Sequence, residues 1–149
     1  MRCYSKNDVQ KIENELMSQS ESLSSEIEVL REKRKDLKFF QVDQKKDIDR
    51  KIQELSDQRY FVNVASMMFM LYEDSLNPQT TEGLSMEELI RIEDEARQGD
   101  GISKLIVFTH SAFKEGSLRS RDIKRLEMEA CEGDCSSAAI LKCYKTYFE

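Results

Sequence analysis

Lys38-Phe39-Phe40-Gln41-Val42-Asp43-Gln44 is the stretch on which the architecture turns, because it lies between two apolar rows that each repeat every seven residues. Upstream, Val9, Leu16, Leu23, Leu30 and Leu37 keep that step, and on a helix of 3.6 residues per turn they form one continuous stripe. Downstream, Ile48, Leu55, Val62, Phe69 and Leu76 do the same, with Ile52, Val64, Met68 and Leu71 broadening the apolar face. Leu37 and Ile48 are eleven residues apart, which is either a stutter within one helix or a reversal into an antiparallel hairpin. A reversal ordinarily carries Gly, Asn or Pro at its tip, and this stretch offers only Asp43 as a possible cap. The reading leans toward a continuous or kinked helix, with the hairpin as its alternative.

Nothing else in this half of the chain stops a helix. Residues 5 to 77 contain neither Gly nor Pro, and Ser5-Lys6-Asn7-Asp8 has the form of a capping box that places an acid at the positive end of the helix dipole. Beside the leucine stripe the companion row is mixed, with Ile12 and Ile27 apolar and Glu13, Ser20 and Arg34 polar, which suits two-stranded packing. A continuous helix of about 70 residues would extend about 105 Å and leave the stripe in water unless it paired. The expectation is therefore a homodimer joined through Val9, Leu16, Leu23, Ile27, Leu30 and Leu37.

Asn77-Pro78-Gln79-Thr80-Thr81-Glu82-Gly83 is the one clear break, since Pro78 disfavours helix at the residue before it. It divides the chain into an arm over 5–76, a linker over 77–83 and a helical module over 84–149. Ser85-Met86-Glu87-Glu88 is a second capping box and should launch a helix that ends near Gly99. Within the module, residues 84–113 and 118–147 match at nine of 30 positions, among them Glu95 with Glu129, Ala96 with Ala130, Gly99 with Gly133, Asp100 with Asp134 and Ser103 with Ser137. Each copy reads as a helix, a glycine that permits a left-handed turn, an aspartate cap and a second helix.

Gln98-Gly99-Asp100, Lys114-Glu115-Gly116, Asp122-Ile123-Lys124 and Glu129-Ala130-Cys131-Glu132-Gly133-Asp134 resemble degenerate Sel1-like repeats, relatives of the tetratricopeptide repeats. The resemblance covers roughly Leu84 to Glu149. It implies stacked helical hairpins that serve as a non-catalytic protein-binding scaffold, often in regulatory or secretion-related assemblies. The sequence departs from that pattern at Lys142, where Gly usually follows the Leu, and at Lys124-Arg125, where Lys-Ala is usual.

Composition points the same way. In 149 residues, 35% are charged and 39% apolar, with 5 Gly, 1 Pro and no Trp, a balance that suits solvated helices and leaves a sheet short of turn residues. The expected class is all-α, and a large multi-domain catalyst is excluded by length. The net charge of −6 makes nucleic acid an unlikely partner. The alternative to a protein-binding role is nevertheless a nucleic-acid-binding regulator using Lys33, Arg34, Lys35 and Lys38, or Arg119, Arg121, Lys124 and Arg125. The most apolar segment, Tyr60 to Tyr72, is too short to span a bilayer, so no membrane partner is expected. Four scattered cysteines suit a reducing, cytoplasmic setting.

Side chains suited to covalent chemistry do not converge on a motif. Cys131, Cys135 and Cys143 with the single His110 fall short of a four-ligand zinc set, and Thr109-His110-Ser111 lies on a predicted helix that cannot aim all three at one point. Neither an enzyme nor a cofactor or metal is expected. Met67-Met68-Phe69-Met70-Leu71-Tyr72 is different, because flexible, polarizable methionines beside aromatics adapt to varied apolar partners. Core packing is its plain reading. The functional one makes Met67, Met68, Met70 and Leu71, with Phe108 and Tyr144 of the module, a groove for an amphipathic partner helix. The whole then reads as a dimeric adaptor, regulator or secretion-type chaperone.

Overall fold

A computed structural model describes residues 1–76 and 85–149, and these fold into helices without a strand. In chain order they are α1 (Lys6–Asp36), α2 (Val42–Leu76), α3 (Met86–Arg97), α4 (Gly101–Glu115), α5 (Ser120–Cys131) and α6 (Cys135–Tyr147). The all-α class expected from composition is the class found. The linker with Pro78 and Gly83, and Leu84 at the head of the first repeat, lie outside the described residues.

α1 starts at a complete capping box. The Ser5 hydroxyl accepts the Asp8 N–H at 3.1 Å, while the Asp8 carboxylate accepts the Ser5 N–H at 3.1 Å. Lys33, Arg34 and Lys35 occupy its last turn, where the dipole favours cations. The chain then reverses, so of the two readings of this stretch the hairpin, the less favoured one, is the one found. Leu37 is extended (φ −76°, ψ 138°), and Lys38 to Gln41 close a turn in which the Gln41 N–H donates to the Lys38 carbonyl at 3.0 Å. The Gln41 side-chain oxygen accepts the Lys38 N–H at 2.7 Å. No Gly is needed because no non-glycine residue among those described has a positive φ, so the turn contains no left-handed position.

The reversal decides the fate of the leucine stripe. Val9, Leu16 and Ile27 are each 1% exposed within the single chain, and Leu23, Leu30 and Leu37 are half-buried. The answering row on α2 buries Leu55, Val62 and Phe69, half-buries Ile48 and leaves Leu76 exposed. Polar ties join the two helices: Arg34 forks onto Asp49 at 2.7 and 3.3 Å, and Ser20 donates to Asn63 at 3.2 Å. The stripe expected to face a second chain thus faces α2. Pairing two copies through Val9, Leu16, Leu23, Ile27, Leu30 and Leu37 would require opening the hairpin.

The described residues form three hairpins: α1 against α2, α3 against α4, and α5 against α6. Their second helices, α2, α4 and α6, pack on one another and carry the shared core. At the base of the first hairpin both chain ends are tied down. Tyr4, Phe69, Tyr72, Phe113, Tyr147 and Phe148 interlock with ring centroids 5.1–5.9 Å apart. The Arg2 N–H donates to the Phe148 carbonyl at 2.8 Å, and the Tyr4 N–H to the Tyr72 hydroxyl at 2.7 Å.

Candidate partner-binding groove

The module is positioned by a hydrogen-bonded joint that occurs twice. In the first copy, Gly99 (φ 97°) ends α3, Asp100 caps α4 by accepting the Ser103 N–H at 3.0 Å, and the Ser103 hydroxyl donates to Glu95 at 3.0 Å. In the second, Gly133 (φ 96°) ends α5, Asp134 caps α6 through the Ser136 and Ser137 N–H groups at 3.0 and 3.2 Å, and Ser137 donates to Glu129 at 2.7 Å. The residues that recur in the sequence are the residues that build the joint.

Lys104 couples the copies. It reaches from α4 into the second joint, where its Nζ donates to Glu129 at 3.0 Å and also to Asp134, with its side chain 4% exposed. Burial alone would lower its pKa, but the hydrogen bonds it donates to Asp134 and Glu129 hold it above the ordinary lysine value. Asp134 is held below the usual carboxylate range by Lys104 and Ser136. Glu129, which burial would raise, is likewise kept low by Ser137, Lys104 and Arg125. The ion pairs and the hydrogen bonds together fix the geometry of the second joint. The close approach at the same place has a steric condition, since a Cβ on Gly101 would meet the Ser136 Cβ at 3.1 Å.

The groove that these joints position lies between the first hairpin and α6. Gln19, Ser22 and Leu23 of α1, Asp57, Gln58, Phe61 and Val62 of α2, and Lys142 of α6 enclose about 510 Å³ open to solvent. Its floor is apolar, with Val62 buried and Leu23 and Phe61 half-buried, and its rim is polar. Lys142 lies over the Phe61 ring with Nζ 4.6 Å from the centroid, a cation–π contact that spans the groove. A second hollow of about 440 Å³ adjoins it across Lys142, lined by Ala130, Ala138, Leu141, Lys145 and Thr146. Below the first, the Cys143 Sγ lies 3.6 Å from the Phe61 carbonyl, and burial pushes this thiol up to about 12.

The partner-binding residues expected from sequence do not form one surface. Met68, Phe108 and Tyr144 are buried, and the Tyr144 hydroxyl accepts the Leu118 N–H at 3.2 Å inside the core. Met67 and Leu71 are half-buried against that core, leaving Met70, 60% exposed, as the one side chain of the set in solvent. The physical reason is that α4 and α6 cover the face of α2 that carries the methionines. Phe61 and Lys142 escaped the sequence reading because they are far apart in the chain and neither sits in a motif.

The basic residues considered for phosphate contact are largely engaged with neighbouring acids. Arg119 pairs with Glu115, Arg121 with Asp122 at 3.8 Å and Arg125 with Glu129 at 3.0 Å, while Arg34 pairs with Asp49 and Lys35 with Glu32 at 3.1 Å. His110, Cys131 and Cys135 are exposed, and no cluster of metal-ligating side chains occurs among the described residues. No described helix is long and apolar enough to cross a membrane.

Fold and groove together define an all-α chain of three packed helical hairpins with an open trough across α1, α2 and α6. Set against known proteins, the chain matches no family model, no curated protein and no solved structure.

Proposed function

We propose that the protein is a non-catalytic protein-binding module, an adaptor, regulator or chaperone that holds an amphipathic segment of another protein in the trough across Lys142. The observation that carries this reading is the groove itself: an apolar floor of Leu23, Phe61 and Val62 under a polar rim, continued over Lys142 into a second hollow. Interfaces with a desolvated apolar centre and a polar rim are how helical partners are usually held. Lys142 and Lys145 favour acidic residues on the partner's polar face. The duplicated joint agrees with the Sel1-like resemblance and gives such a scaffold its rigidity. The four free thiols fit a cytoplasmic setting. Self-association, if it accompanies this role, would use residues other than the α1 stripe.

A photo-crosslinking residue placed at Gln58 in the native host tests the reading. The expected outcome is a discrete adduct with one protein, absent when the crosslinker sits on the far side of the hairpin and weakened by Phe61→Ser. Equal labelling from both positions, or no adduct from the groove, would overturn it. Light scattering on the purified full chain reports whether a second copy is the partner.

A further inference from the structure

The tip of the first hairpin is not used by the groove. The α2 residues that enter the shared core begin at Phe61, and Phe61 is nineteen residues from Val42, about 28 Å along the helix at 1.5 Å per residue. Over that length only Ile27 of α1 and Leu55 of α2 are buried, so the distal hairpin projects as a two-helix rod. At its apex Phe39 is 86% and Phe40 66% exposed, with their rings edge to face at 5.6 Å and Val42 exposed beside them. Two adjacent phenylalanines in solvent at the end of a rod do nothing for the fold, and exposed large apolar groups of this kind mark contact sites.

Charge identifies the kind of surface. Between residues 33 and 46 six cations, Lys33, Arg34, Lys35, Lys38, Lys45 and Lys46, stand with two acids, Asp36 and Asp43, in a chain whose net charge is −6. The acids just behind the tip are engaged, Asp49 by Arg34, Asp47 by Arg50 and Glu32 by Lys35. No ion pair holds Lys33, Lys38, Lys45 or Lys46 among the described residues, and Lys38 lies 6.0 Å over the Phe40 ring. A convex apolar apex with cations on its shoulders matches a soft apolar layer beneath an anionic surface, where phenylalanine rings enter the interface and lysine stems reach headgroup phosphates. A nucleic acid would engage the cations and leave both rings in water.

We infer that the hairpin tip docks on an anionic phospholipid surface, with Phe39 and Phe40 inserted at the headgroup boundary and Lys33, Lys38, Lys45 and Lys46 on the phosphates. This is a surface contact and needs no spanning segment, and the shortness of Tyr60–Tyr72 bears on spanning alone. It is independent of the groove, so either reading stands without the other.

Co-sedimentation of the full chain with vesicles of phosphatidylcholine alone, or enriched in phosphatidylserine, tests it at low and high salt. Binding is expected to be at least about tenfold tighter to the anionic vesicles and to weaken with salt. F39S/F40S should lower it by about tenfold or more, as should K38E/K45E. Lys38, Phe39 and Phe40 are exposed and Lys45 is half-buried, and circular dichroism checks that the variants keep the wild-type helix content. Absence of binding to either vesicle, or binding that survives loss of both phenylalanines, would overturn the inference. Tight binding to a DNA or RNA duplex with no vesicle binding would overturn it in favour of nucleic acid.

Discussion

The two ends of the α1–α2 hairpin are built from different chemistry. At the base, Phe69 and Phe148 are 0% exposed, six aromatic rings interlock, and the Arg2 N–H and the Tyr4 hydroxyl donate to the Phe148 and Tyr147 carbonyls, while the Tyr4 N–H donates to Tyr72. At the tip, the contacts are a turn closed by Gln41, the exposed Arg34–Asp49 pair and half-buried Leu30, Leu37 and Ile48. Exposed ion pairs contribute about 0–1 kcal/mol, whereas a fully buried aromatic side chain contributes several times that. Stability therefore resides at the base, which frees the distal residues for contact with something else.

The sharpest way to break that comparison is to truncate one phenylalanine at each end. Phe148→Ala empties a fully enclosed site and is expected to destabilise the chain by roughly 3–5 kcal/mol, while Phe40→Ala should change stability by less than about 0.5 kcal/mol. Chemical denaturation of both variants measures the difference. Comparable losses would show that the tip is part of the cooperative core. Within α1 the same contrast is graded: Leu16→Ala should cost about 3 kcal/mol and Leu30→Ala about 1 kcal/mol, because the first site is closed on all sides and the second is half open.

How much of this was legible in the sequence follows from the range of the forces involved. Heptad spacing, Gly and Pro scarcity and capping boxes are local, and they suffice for the all-α class and for helix starts at Ser5 and Ser85, where the structure has both boxes. The Glu95/Glu129 and Ser103/Ser137 recurrence is local too. The sequence leaves the reversal at Leu37–Gln41 as the less favoured of two readings because the turn uses an extended leucine and a glutamine side chain instead of a left-handed residue. The preference for a continuous helix is what turns the leucine stripe toward a second chain. The groove was illegible for another reason, since Phe61 meets Lys142 only after α6 folds back on α2, and the methionine segment follows its plain core reading at Met68 while Met70 stays in solvent.

Comparing the two joints of the module gives a smaller effect. Only the second receives Lys104, so Lys104→Met should cost about 2 kcal/mol, less than a fully buried pair because Glu129 and Asp134 retain some solvent contact. Glu95→Gln in the first joint should cost well under about 1 kcal/mol, its side chain being 48% exposed. The pH dependence fixes the sign. Asp134 and Glu129 have depressed folded pKa values, so their stabilisation is present above the unfolded values of 3.8 and 4.5 and is lost as pH falls through the folded ones. The gap between wild type and Lys104→Met, followed by thermal melts, should narrow on acidification below about pH 4.

The weakest expected effect lies where α1 meets α2 near the base and runs in the opposite direction. Glu13 Oε1 is buried with no hydrogen-bond partner among the described residues, and burial, followed by the charge of Glu73, raises this carboxyl above its ordinary value. A carboxyl whose folded pKa exceeds 4.5 binds more protons in the folded chain than in the unfolded one between those two values, so stability falls as pH rises through that window. At neutral pH the charged pair opposes the hairpin. Glu13→Gln removes the charge and retains the shape, and is expected to raise Tm by about 2 °C at pH 7 with no gain at pH 4, where Glu13 is already protonated. The same scan on Asp57→Asn, exposed on the groove rim, should show no such pH-dependent gain. An equal gain at pH 4 would mean that Glu13 is not the strained group and that the base of the hairpin carries no electrostatic penalty.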